Sequence, residues 1–309
     1  MTPEQKSEIG LHKYELDTPC LLVDASRLEL NIRTMQESAS ASGKGLRPHA
    51  KTHKCSVIAR KQLKAGAVGV CTAKLGEAEV LAQRGIEEIL ITGPVALPLK
   101  EERLLNLLEG RGSLLLVIDN AEQTELLNKA CRKRGVRARV LLGIDPGLGR
   151  TGIPPEEALV MGRRIMDSSH LELCGIQAYA GNVQHIASYV ERREKSIACM
   201  NRAGEVFRSL REAGMEGSIF TGAGTGTFDI DTAVEDLTDM QVGSYVFMDA
   251  EYRGIGSALD PGRFVLFEPA LTMLTSVVSC NRSGQVTVDA GLKTMYRDGG
   301  TPIVLFPKD

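Results

Sequence analysis

The chain has 309 residues, 43% hydrophobic and 25% charged, and its 37 Lys+Arg nearly cancel 39 Asp+Glu to a formal net charge of −2. Those values exclude wholesale disorder and a coiled coil, and they leave no global field to favour nucleic acid or an anionic membrane. Trp is absent and aromatics make up 4%, so the core is expected to be aliphatic and a stacking platform for single strands is disfavoured.

Seven cysteines are spread along the chain with no pair at C-x-x-C spacing, so neither a zinc knuckle nor a redox pair is written here. The N-terminus, MTPEQKSEIGLHKYE, is polar, and no stretch of about 18 apolar residues follows it. The expectation is a reduced, soluble, cytoplasmic protein.

In chain order, PCLLVD is a strand candidate and a helix runs from Ser26 to about Ser42. Short aliphatic runs then alternate with helical patterns. The strand candidates are Leu46–Ala50, Ala67–Thr72, Glu88–Thr92, Leu114–Ile118, Arg137–Ile144, Leu173–Ala178, Gly217–Thr221 and Gln241–Phe247. Between them lie helices Cys55–Ala65, Leu75–Arg84, Leu99–Leu108, Ala121–Arg134, Pro155–Ser168 and Ser188–Ala213, and a short one within Phe228–Leu237. Glycines at 66, 85, 110, 135 and 214 stop helices as left-handed C-caps do. Runs such as AVGVC and LLLVI are apolar throughout, as strands covered on both faces must be. The predicted class is α/β: a (β/α)8 TIM-type barrel over residues 17–255. After it, Phe264–Cys280, Gln285–Ala290 and Pro302–Phe306 read as strands without helices. Residues 256–309 are therefore expected to form part of a C-terminal β-domain, which the strand at 19–23 can join.

Barrel chemistry collects at the C-terminal ends of strands. RPHAKTHK places His49, Lys51, His53 and Lys54 after the first strand, and Lys74 follows the second. Asp119 ends the fourth, GIDPGLGRTGI brings Asp145 and Arg150 after the fifth, and AYAGNVQH brings Tyr179, Asn182, Gln184 and His185 after the sixth. TGAGTGTF follows the seventh, and GSYVFMDAEYR carries Ser244, Tyr245, Asp249 and Tyr252. Alternating Gly and Thr offer backbone N–H groups and hydroxyls to an anion, without the spacing of a nucleoside-triphosphate loop. A structural turn is the competing explanation. A lysine inside a barrel mouth is desolvated beside Arg and His, which suits Schiff-base chemistry; a solvated basic loop is the alternative. Two histidines four apart with no neighbouring carboxylate make a poor metal set.

Taken in order, TPCLLVDASRLELNIRTM, RPHAKTHK, GEAEVLAQRG, GIDPGLGRTGI, QAYAGNVQHI, the Gly/Thr loop and GSYVFMDAEY resemble the D-threonine aldolase family and its relatives, the metal-activated D-serine dehydratases and 3-hydroxy-D-aspartate aldolases. The resemblance covers residues 17 to 295 and implies a fold-type III pyridoxal-phosphate enzyme with an alanine racemase-like barrel. It implies that Lys51 bonds the cofactor, that Arg150 and Tyr179 flank it, and that Thr225, Gly226, Gly243, Ser244 and Tyr252 hold it, chiefly by its phosphate. His185 matches a position on the substrate side and is the second catalytic candidate, whereas Asn182 stands where the family more often has His. The family's divalent-metal pair lies in a tail, so its ligands would fall beyond Asp309 and none is expected in this chain. The implied activity is a lyase cleaving D-β-hydroxy-α-amino acids, with a D-serine or 3-hydroxyaspartate dehydratase, a racemase and a non-catalytic cofactor binder as alternatives. A small D-amino acid substrate and a homodimer go with it, without nucleic acid or membrane.

Overall fold

In the computed structural model, which describes residues 9–97, 99–295 and 300–305, strand β1 (Cys20–Val23) leads into helix α1 (Ala25–Ala41). The Asp24 carboxylate caps that helix by accepting the Arg27 N–H at 3.0 Å, satisfying a donor with no intrahelical partner. Leu28, Ile32, Met35 and Ala39 follow a helical period and are the residues α1 buries. Asn31, buried among them, donates to the carbonyls of Val246 and Glu268 and accepts from Glu268 N. It thereby ties α1 to the chain that leaves the barrel.

The barrel strands are β2 (Gly45–Leu46), β3 (Val70–Thr72), β4 (Ile89–Ile91), β5 (Leu115–Ile118), β6 (Ala138–Ile144), β7 (Leu171–Ala178), β8 (Ile219–Gly222) and β9 (Asp239–Met240). They form one parallel sheet in the order β2-β9-β8-β7-β6-β5-β4-β3. Its two edges meet: Val68 N donates to Leu46 O and Cys71 N to Pro48 O, each at 2.8 Å, and His49 and Cys71 form a parallel bridge. The sheet is thus closed on itself.

Between the strands run α2 (Ser56–Ala65), α3 (Leu75–Gln83), α4 (Glu101–Leu108), α5 (Ala121–Arg134), α6 (Ala158–Met166), α7 (Tyr189–Glu212) and α8 (Phe228–Asp231). Gly66 and Gly135 end α2 and α5 at φ of +119° and +74°, where a side chain would be strained. Two cores result. Cys71, Leu90, Leu115, Val117, Leu141 and Cys174 pack together inside the barrel, while the larger cluster fills the shell between sheet and helices. On β5, Leu115 and Val117 point in and Leu116 and Ile118 point out, the alternation a strand imposes.

Several boundaries differ from the sequence expectation. The first strand stops at Leu46 because Pro48 has no N–H to donate, although Arg47 N and His49 N still reach Met240 O and Val242 O. The eighth is Asp239–Met240 rather than Gln241–Phe247, and Ser244–Val246 is a 3-10 turn. Tyr245 and Val246 are wholly buried in that turn, and an apolar buried turn reads like a strand. Helix α9 (Ala250–Arg253) follows. The expected strand from Phe264 begins only at β10 (Leu271–Leu274). Ahead of it Phe264 and Phe267 are spent on an aromatic cluster with Phe228 and Tyr245. Strand β10 pairs antiparallel with β1, and β11 (Val277–Arg282) with β12 (Gln285–Val288). Residues 302–305 form no strand, and Phe306 lies outside the described residues.

Candidate active site

The strand ends converge on a cavity of about 470 Å³. A second depression, of about 420 Å³, lies on the barrel's outer side against Phe228 and Phe264, with Asp229 its sole charged lining residue. Of the two, the strand-end cavity gathers amines, hydroxyls, amides and carboxylates together, so it is the candidate site.

Lys51 enters it from the 3-10 turn Ala50–Thr52 that follows β2. Water reaches the side chain through the mouth, but protein surrounds it. Burial first, and then the Arg150 charge, hold its ammonium below the usual lysine range. Its Nζ lies 5.6 Å from the centre of the Tyr179 ring, and the Arg150 guanidinium carbon lies 6.0 Å from the same centre. Both cations are within cation–π range of that ring. Burial pushes the Tyr179 phenol up, so it stays protonated at neutral pH.

Two other basic residues of RPHAKTHK, Lys54 and His53, are engaged outside the cavity lining. Lys54 pairs with Glu77 at 2.7 Å. His53 accepts the Cys55 N–H on Nδ1 and sets Nε2 at 3.3 Å from Gln62 Oε1. Lys74 precedes α3 and does not line the cavity. Burial lowers the His53 pKa to about 4, which gives a pH prediction. Between about 6.5 and 4 the unfolded chain holds a proton on His53 that the folded chain lacks, so acid favours unfolding there. Buried Asp231, raised to about 6, acts oppositely in the same window. Wild type is therefore expected to lose stability relative to His53→Asn as pH falls from 7 to 4, as followed by urea denaturation. A pH-independent difference would contradict a neutral His53.

Arg150 is positioned by two carboxylates that the sequence marked at strand ends. Asp145 accepts from the N–H groups of Gly147, Leu148 and Gly149, and Asp119 accepts from Gly152 N. They anchor the loop on both sides of the arginine and stand outside the cavity lining. Asn182 steadies the same loop by donating to Gly147 O at 3.3 Å.

In the same cavity as Lys51, two loops present an anion cradle. Thr225 Oγ1 accepts from Tyr245 N at 3.1 Å, which leaves its own proton free to donate into the cavity. Ser244 opens the next 3-10 turn, with no side chain capping its N–H groups. Among the described residues nothing accepts from the backbone N–H of Gly224, Thr225, Gly243 or Ser244. A Cβ on Gly243 would stand 2.7 Å from Thr52 Oγ1, and one on Gly224 2.4 Å from Gln184 Oε1, so a side chain at either position would push a cavity-side neighbour aside. Free N–H groups and hydroxyls are what a phosphate ester requires, and the amine opposite suits an aldehyde. Gly226, expected to join the cradle, faces away: its N–H goes to Gln184 Oε1 at 3.0 Å and its carbonyl accepts from Arg192. Gln184 also donates to Thr227 Oγ1 and Ala180 O, and so clamps the loop from behind.

At the mouth, His185 sets Nδ1 3.4 Å from Glu251 Oε1 and lies against Tyr252, ring centres 4.4 Å apart. Burial, and the nearby Tyr179, Asp249 and Glu251, push the Tyr252 phenol well above its ordinary range. The floor is polar as well. Gln177 donates to Gln241, Gln241 to Thr221, and Thr221 to Asp239, which pairs with buried Arg47 at 3.3 Å. Sequence reasoning missed Gln177, Gln241, Thr92 and Glu251. The signal for Gln177 was a polar residue one position before the end of a largely apolar barrel strand. Among the described residues no group of three or more His, Cys, Asp or Glu could hold a metal ion.

The family described as "Alanine racemase, N-terminal domain" matches residues 23–251. A 3-hydroxy-D-aspartate aldolase of Paracoccus denitrificans (strain Pd 1222) is 36% identical over 301 residues, spanning 96% of this chain and 77% of that protein. A D-threonine aldolase of an Arthrobacter species is 36% identical over 290 residues, 94% of this chain and 75% of that one. The crystal structure of D-threonine aldolase from Filomicrobium marinum superposes with a TM-score of 0.90 at 34% identity, covering 95% of this chain and 78% of that one.

Proposed function

The chain belongs to the alanine racemase N-terminal-domain family and, within it, to the group of D-threonine and 3-hydroxy-D-aspartate aldolases; on that premise we propose that it is a pyridoxal-phosphate-dependent lyase that cleaves D-β-hydroxy-α-amino acids, taking D-threonine to glycine and acetaldehyde. The observation that carries this reading is the Lys51 amine, held below the usual lysine range, lining the same cavity as a cradle of free N–H groups and hydroxyls.

Lys51 would hold the cofactor's aldehyde through Nζ, and Thr225 and Ser244 its phosphate, with Arg150 and Tyr179 beside it. Bound there, pyridoxal phosphate supplies an electron sink for the charge left at Cα when the Cα–Cβ bond breaks. The remaining work falls to side chains. With Nδ1 turned to Glu251, His185 has Nε2 free to take the proton from the substrate's β-hydroxyl as its C–O bond becomes a carbonyl. Glu251 orients the ring and steadies the charge it gains. Tyr252 backs the imidazole and keeps water from that side. A homodimer and a cytoplasmic location belong to the same proposal. Among the described residues no helix is long and apolar enough to cross a membrane.

The test is incubation with D- and L-threonine after reconstitution with pyridoxal phosphate, with and without added Mn²⁺. Glycine and acetaldehyde in equal amounts from the D-isomer alone are expected. Ammonia and 2-oxobutyrate would mark a dehydratase instead, and cleavage of L-threonine in preference would overturn the substrate assignment.

A further inference from the structure

We propose that His49 is a positioning residue for Lys51, held as a single neutral tautomer between the Thr92 hydroxyl and the backbone of the Lys51 turn. The inference rests on the assignment of Lys51 made above and adds to it the device that places the amine.

His49 is 6% exposed and caps the 3-10 turn Ala50–Thr52, its Nδ1 accepting the backbone N–H of Lys51 at 3.4 Å. Since Nδ1 must offer a lone pair there, the neutral ring carries its proton on Nε2. That nitrogen lies 3.1 Å from Thr92 Oγ1, and Thr92 Oγ1 passes its own proton to Thr72 O at 3.1 Å. Every proton in the chain from ring to strand end has one place to go. The His49 backbone completes the hold: its N–H donates to Val242 O at 2.8 Å, one residue before Gly243, and the residue bridges to Cys71. One side chain therefore couples Lys51 to the end of β4, while its backbone couples the same turn to the anion cradle.

A protonated ring would break this arrangement, because a second proton on Nδ1 would face the Lys51 N–H. Burial first, then the charges of Lys51, His53, Arg150 and Lys54, hold His49 well below its usual range, so the neutral form persists. A helix or turn start more often carries Asn, Asp or Ser. Asparagine could cap Lys51 equally well but could not span to Thr92. A histidine that merely filled space would need neither contact.

The experiment compares wild type with His49→Ala, His49→Asn and Thr92→Val. The readouts are pyridoxal-phosphate affinity, the pH midpoint of its capture onto Lys51 by absorbance, and the thermal midpoint. In His49→Ala the turn loosens and Nζ moves further out of the protein that surrounds it, so the ammonium returns toward the usual lysine range, the free amine needs a higher pH and the capture midpoint moves up. The other groups that set this titration, Arg150, Cys71 and Glu77, are unchanged in all three variants. Loss of two hydrogen bonds is expected to weaken cofactor binding about 10-fold. His49→Asn is expected to return affinity to within about 3-fold of wild type, because the cap is restored. Thr92→Val, which removes only the far anchor, is expected to move the midpoint less than His49→Ala. A wild-type affinity and midpoint in His49→Ala overturns the proposal, as does a change in thermal midpoint alone. If His49→Ala fails to fold, wild-type behaviour in Thr92→Val together with a loss of affinity of about 10-fold or more in folded His49→Asn overturns it. Borohydride trapping of wild type on another lysine would instead sink the Lys51 assignment, and the two failures are told apart by that control.

Discussion

Lys51→Ala is expected to lose the protein-bound cofactor band and to cleave D-threonine at least about a thousandfold more slowly, the scale on which a positioned nucleophile or base is felt. The fold has little stake in this side chain: it is accessible within the cavity, and its turn is held by the His49 ring and backbone rather than by Nζ. Activity should therefore collapse while the thermal midpoint stays near wild type. The matched control is Lys54→Ala. Lys54 is exposed and pairs with Glu77, an interaction of a kind that contributes only about 0.2–1 kcal/mol. That variant should keep both the band and the turnover. Equal losses in the two variants would show that the loop's charge matters and not the Lys51 amine.

The second large effect is expected at the cradle. Thr225 and Ser244 each offer a hydroxyl to an anion, and a hydrogen bond to a charged group contributes about 1.5–3 kcal/mol. Single alanine substitutions should weaken cofactor affinity by roughly 10- to 150-fold. The double variant should weaken it further, though less than the product of the two, because both residues serve one group. Thr225 also receives the Tyr245 N–H, so Thr225→Ser is the conservative rescue. Equilibrium dialysis with pyridoxal phosphate reads each case, and an unchanged affinity in the double variant would move the phosphate elsewhere.

Much of the barrel was legible because its signals are local. Helix-stop glycines such as Gly66, apolar strands such as Leu115–Ile118 and the helical stripe of α1 need no knowledge of the rest of the chain. The ends of the barrel were harder. Ser244–Val246 carries strand-like residues, yet it folds as a turn because Gly243 takes the chain out of the sheet and Tyr245 fills the space beneath. The site followed the same division. Lys51, Arg150, Tyr179, Thr225, Ser244 and Tyr252 stand around one cavity, as expected from their places at strand ends. Gly226 does not, and nothing in TGAGTGTF could reveal that the Gln184 side chain, 42 residues earlier, claims its N–H. Glu251 was equally hidden, since its role depends on a contact with His185 across two strand ends. Asp119 and Asp145 were visible as polar residues in the right places, but whether they would face the cavity or brace the Arg150 loop depended on the path of that loop.

The most direct test of the central claim is to reduce the reconstituted protein with borohydride and map the labelled peptide. The account predicts a single pyridoxyl-lysine, at Lys51, in the peptide containing PHAKTHK. A label on Lys54 or Lys74, or none on any lysine, would contradict it.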